Sequence, residues 1–183
     1  MKLTKLSTRW KKERCQLPYT AQRRMCTPAS SVPTGEFEWR KTWQPVTIGD
    51  WANQLPPGDR FTTVMTWKIE SFTDVDGNKD REFVKFIDLP ARAPDRFMLA
   101  VNGPQRLLQE HGWATVDAMH VSRTPDHYRD FIQRSKAEFG VAKHAYVSRR
   151  SGWFSDRTEC YLAAGRPAVR SEEHTSEPQS PYV

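Results

Sequence analysis

Hydrophobic and polar positions alternate along the chain in short blocks. Arg60–Trp67, R-F-T-T-V-M-T-W, is β-branched and aromatic and follows Gly58, which predicts a strand. Arg96–Gly103 carries five apolar residues in a row, Phe97 to Val101, and ends at Asn102-Gly103, the pattern of a strand buried on both faces. Val116–Val121 and Ala137–Val141 read as shorter strands, and Ala168-Val169 begins another. Helical periods fall between them. From Asp80 to Leu89, Phe83, Phe86 and Ile87 share one face; from Pro104 to His111, Leu107 and Leu108 turn inward and Gly112 is the stop. Thr124 is the N-cap and Pro125 the first residue of a helix with Tyr128, Phe131 and Ile132 as its stripe. The last helix is Arg157–Ala164, with Ser155 as N-cap, Asp156 at the positive end of the helix dipole, Gly165 at C′ and Pro167 as breaker. The resulting order, β-α-β-α-β-α-β-α-β, predicts an α/β, Rossmann-like parallel sheet with helices on both faces. Ligands in such sheets bind beyond the carboxyl ends of the strands. The loops after Val101, Val121 and Val141 and the loop before Ser155 should open there, making Asn102, Gly103, Ser122 and Lys143 candidate contacts.

The remaining segments follow no such period. Residues 1–34 carry basic pairs, prolines and a Ser-rich stretch and read as a disordered leader. Residues 35–59 are aromatic and broken by Pro45 and Pro56-Pro57-Gly58, a crossing segment whose Trp39, Trp43 and Trp51 are expected to pack on the next strand. The formal charge of +6 suggests nucleic acid until it is located: residues 1–41 hold ten Lys/Arg against three Asp/Glu, while residues 42–169 hold 17 against 16. The excess therefore lies in the leader, and nucleic acid is the less favoured partner. Three scattered cysteines without a C-x-x-C pair indicate neither zinc nor a disulfide framework; Cys160 reads as a small buried helix residue. With no apolar run long enough for a membrane span and no signal-peptide core behind the basic start, a cytoplasmic protein is expected. An EF-hand alignment starting at Asp74 fails at both anchors, with Lys79 in place of the glycine and Lys85 in place of the bidentate glutamate. His111, His120, His127 and His144 show no ligand spacing; no metal, no cofactor and no catalytic residue is assigned.

Chemistry concentrates between Ser151 and Val169. A glycine-containing loop that feeds a helix start aims unpaired N–H groups at one spot, which favours phosphate, and Arg157 in the first turn adds a charge-assisted donor. The same residues also describe an ordinary capped helix in an αβ connection.

The words A-K-H-A-Y-V, G-W-F-S-D-R and Y-L-A-A-G-R-P-A-V resemble the C-terminal domain of GT-B glycosyltransferases, in a family-1-like group related to the CgeB type, over roughly Phe37 to Val169. The resemblance implies a domain that holds a nucleotide-diphosphate sugar as donor substrate and serves transfer of the sugar to an acceptor hydroxyl, the acceptor being unidentified. It implies donor contacts from Lys143, Gly152, Trp153, Ser155, Asp156, Arg157 and Glu159, with Gly152, Ser155, Asp156 and Arg157 near the phosphates, Lys143 as extra cation, Trp153 flanking the base or covering the loop, and Glu159 on the ribose. The chain departs from the E-x7-E pair common in that fold: Glu159 stands one place before the second acid, and Gly152 occupies the place of the first. Residues 170–183 resemble a translated sequencing adapter, R-S-E-E-H-T-S-E-L-Q-S, with Pro178 the one difference over residues 170–180. The domain at 60–169 is thus expected to be an incomplete donor-binding half, inactive alone. A non-catalytic α/β module for another phosphate ligand and a nucleic-acid binder working through the leader are the alternatives.

Overall fold

The computed structural model describes residue 31 and residues 46–51, 55–68, 78–149 and 155–171. Five strands form one all-parallel sheet in the order β3-β2-β1-β4-β5. They are β1 (Phe61–Thr66), β2 (Phe97–Asn102), β3 (Ala114–Asp117), β4 (Ala137–Gly140) and β5 (Ala168–Arg170). Helices α1 (Lys79–Phe83), α2 (Leu89–Arg92) and α3 (Gln105–Glu110) belong to the β1-to-β3 connections. Helices α4 (Ala118–Val121), α5 (Pro125–Gln133), α6 (His144–Ser148) and α7 (Asp156–Ala163) belong to the later ones. This is a Rossmann-like α/β arrangement. The order reverses between β1 and β4, which makes the carboxyl ends of those two strands the topological switch point.

Residues alternate across the sheet, as the strand pleat requires. On one face Met65, Phe97, Leu99, Val101, Phe139 and Val141 pack with Phe83 and Leu108 and with Trp113, which precedes β3. The core is aromatic: the Phe83 and Trp113 ring centroids are 5.0 Å apart, and those of Phe97 and Phe139 5.6 Å. On the other face Trp51, Ile132, Tyr161 and Ala164 form a smaller cluster. Trp51, expected against the next strand, instead covers α5 and α7, while Trp39 and Trp43 lie outside the described residues.

Local signals account for most element boundaries. The Thr124 hydroxyl accepts from the His127 amide at 3.2 Å, with Pro125 opening α5. Gly165 takes φ 68° after α7, and two bonds, Gly165 N–H to the Leu162 carbonyl and Arg166 N–H to the Tyr161 carbonyl, complete a Schellman motif. Three expectations are corrected. The third strand is Ala114–Asp117, and Val116–Val121 is not a strand, because the Asp117 carboxylate accepts the Met119 amide at 2.8 Å and starts the turn of α4. The helix foreseen from Asp80 begins at Lys79 behind Asn78 and breaks into α1, a 3-10 turn and α2, with Pro90 in the first turn of α2. Ser155 stands at the N-cap of α7, but its hydroxyl caps nothing.

Candidate functional site

β1 pairs with β2 along six residues but with β4 only at Phe61↔Ala137 and Thr62↔Glu138. Beyond Thr62 the two central strands part. Carbonyls of β1 that would have met β4 then need other partners. Arg157, in the first turn of α7, provides one: its Nη1 donates to the Val64 carbonyl at 2.9 Å and its Nε to Glu138 Oε1 at 2.6 Å. A helix residue therefore wedges into the fork of the sheet.

Glu138 is completely buried within β4, and its Oε2 has no hydrogen-bond partner among the described residues. A buried carboxylate is tolerated only with a counter-charge and full hydrogen bonding. Among the described residues several basic side chains neighbour it. Lys79, at the start of α1, is 6% exposed, and its electrostatic neighbours are Arg157, Glu138 and Lys143. Burial, then Arg157, pushes the Lys79 amine well below the usual lysine range; Glu138 opposes this and Lys143 adds to it. Lys143 sits at the N-cap of α6 with its ammonium 5.9 Å from the Tyr146 ring centroid, and burial lowers its pKa as well. Burial also works against charge on Arg157, but the contact with Glu138 outweighs it and holds the guanidinium protonated. Arg170 of β5 is a further neighbour of Glu138 and Arg157, with its pKa pushed down to about 10 chiefly by burial.

The backbone brings these groups together at one place. The His144 amide donates to the Asn78 carbonyl at 3.3 Å, which ties the start of α6 to the start of α1 across the switch point. Beside it the nearly buried Glu82 carboxylate meets His144 Nδ1 at 2.7 Å and Lys85 Nζ at 2.5 Å. Burial raises the Glu82 pKa, but the bonds from His144 and Lys85 prevail and leave it lowered.

The residues expected from sequence distribute as follows. Lys143, Ser155, Asp156, Arg157 and Glu159 all lie around the openings of α6 and α7 at the carboxyl edge. Gly152 and Trp153 lie outside the described residues. Arg157 faces inward onto Glu138 rather than outward from the helix start, and it is Lys79 and Glu138, neither foreseen, that complete the cluster. Asp156 is exposed; partial burial of its carboxyl raises its pKa, against a bond from its own amide. Of the topological candidates, Asn102 is exposed at the end of β2 and Gly103 packs its backbone on Trp67, where an added Cβ would stand 2.4 Å from the Trp67 Cβ. The Ser122 hydroxyl is turned back onto the Ala118 carbonyl at 2.7 Å. The signal that could have found Lys79 was the rejected calcium alignment, where a lysine interrupts an acidic run just ahead of an apolar helix. Glu138 announced itself as the one charge inside the short apolar strand A-E-F-G.

Two neighbouring features are structural. Arg166, from the word that carries most of the family resemblance, donates through Nε to the Gln133 carbonyl at 3.0 Å and through Nη2 to the Leu55 carbonyl at 2.5 Å, far from the switch point along α7. Cys160 is half-buried with its thiol pushed up to about 12, mainly by burial, and stays protonated. An open depression of about 410 Å³ lined by Asp88, Pro90, Asp95, Glu110 and His111 lies ahead of β2 and β3, at the opposite edge of the sheet. Among the described residues no group of three or more His, Cys, Asp or Glu could hold a metal ion, and no helix is long and apolar enough to cross a membrane. Comparison with family models, curated proteins and solved structures gives no match to this chain.

Proposed function

We propose that the switch point binds a phosphate-bearing nucleotide, and that the chain serves as the donor-binding half of a GT-B-type glycosyltransferase using a nucleotide-diphosphate sugar. The observation that carries this reading is the set of basic side chains, Lys79, Lys143 and Arg157, gathered with the buried Glu138 carboxylate at the ligand edge of a parallel sheet. Basic groups held together at the ligand edge favour an arriving anion. In the transfer reaction negative charge accumulates on the leaving diphosphate, and prearranged cations and helix-start amides stabilise it there. Lys143, at the start of α6, and Lys79, at the start of α1, stand at that edge. Arg157 contributes its field while remaining bonded to Glu138. The sugar specificity and the transferase step rest on the resemblance of Y-L-A-A-G-R-P-A-V and its neighbours alone. Isothermal titration with UDP and GDP is the test. Saturable binding that weakens with salt is expected; absence of heat from both nucleotides with a folded protein rejects the reading.

A further inference from the structure

Resting on that reading, we infer that the switch point takes up its anion together with a proton, and that the proton lands on the Lys79 amine. Lys79 is nearly buried, and its Nζ makes no hydrogen bond among the described residues. Glu138 faces it from β4, Arg157 from α7 and Lys143 from the start of α6. The one carboxylate among these accepts from Arg157 through Oε1, while its buried Oε2 has no hydrogen-bond partner among the described residues. On its own helix Glu82 is held by His144 and Lys85. An ammonium in this position has lost its water, stands beside two other basic groups and shares the Glu138 carboxylate with Arg157. Each of these favours the neutral amine, and the lowered Lys79 pKa agrees with them.

An arriving diphosphate reverses the balance. It brings oxygen acceptors and negative charge to the same spot, and the amine lone pair takes a proton from solvent to give the ammonium, with no other bond made or broken. Between the Lys79 pKa of the empty site and that of the filled one, affinity should fall as pH rises, by up to about tenfold per pH unit. Lys79 is then more than a point of positive charge: it makes occupancy of the site depend on pH, in a range where phosphates themselves no longer titrate.

UDP titrated calorimetrically between pH 8 and 9, in Tris and in EPPS, tests this, because the terminal phosphate is fully ionised there and the two buffers differ in ionisation heat. Wild type should bind with a net uptake of protons and with affinity falling across the range. Lys79→Arg keeps the charge on a group that does not titrate there, so it should bind UDP with a flat pH profile and no uptake. If Lys79→Arg proves unfolded by circular dichroism, the buffer dependence of wild type decides alone. Wild-type binding without proton uptake, or full uptake retained in Lys79→Arg, overturns proton linkage and leaves phosphate binding standing. Failure of folded wild type to bind UDP or GDP at all removes the nucleotide reading, and this inference with it.

Discussion

The two faces of the sheet are built on opposite terms. One is dry: Phe83, Phe97, Trp113 and Phe139 meet ring to ring, with Leu99, Val101 and Leu108 filling the remainder. The other buries polar chemistry. Thr62 shares hydrogen bonds with Ser135 at 2.5 Å and with Tyr161 at 2.6 Å, Arg157 reaches Glu138, and Arg166 holds the carbonyls of Gln133 and Leu55. Apolar burial is non-directional and strong, so the first face can supply stability without specifying fine geometry. Buried polar groups are weak net contributors but costly to disturb, so the second face fixes where α7 sits. The switch point lies where this second face reaches the ligand edge.

Substitutions that exchange or erase these characters measure the contrast. Phe83→Ala should produce the largest loss, roughly 3–5 kcal/mol, since it opens a cavity at the centre of the aromatic cluster; urea unfolding would show it as a lower midpoint with binding geometry retained. Arg157→Met should cost about 3 kcal/mol by leaving Glu138 buried without its counter-charge, and adding Glu138→Met should recover most of that loss in the same assay. That double variant makes the polar face more like the dry one, and it should stay folded while binding UDP differently from wild type. A smaller effect comes from pH. Lys79 has a folded pKa below its unfolded one, so between the two values the unfolded chain carries the extra proton and stability rises with pH, by at most about 1.4 kcal/mol per unit. Lys79→Met should flatten that rise in denaturation midpoints measured from pH 7 to 10. Gly165→Ala, which touches neither face, should cost only about 1–2 kcal/mol, from forcing an alanine into the φ of 68° that ends α7.

Much of the fold was legible because local signals and burial agreed. The run Phe97–Val101 could only be an interior strand, and Thr124-Pro125 and Gly165 marked helix ends that the backbone then used. The parallel order followed from strands separated by helical stretches. Where reading failed, two local preferences competed. Val116–Val121 is apolar enough for a strand, but Asp117 inside it is a helix cap, and capping prevailed. The site was legible only by region. Sequence topology pointed to the carboxyl edge and to Lys143 and α7, because those depend on element order. It did not pair Arg157 with Glu138, nor bring Lys79 beside them, because those contacts span 19 residues in one case and depend on how β1 and β4 diverge in the other. A charge inside a strand says that a partner exists; only the packed chain names it.

The fork between β1 and β4 has a mechanical consequence. Among the described residues, two paired positions, the Arg157 guanidinium and the Thr62–Ser135 bond join the β4–β5 half to the β1–β2–β3 half. Under heat or denaturant that line should open first, so amides of β4 should exchange with deuterium sooner than those of β2, which pairs along six residues with β1 and four with β3. A ligand seated in the fork would touch both halves and act as a rivet, slowing exchange in β4 more than anywhere else in the sheet.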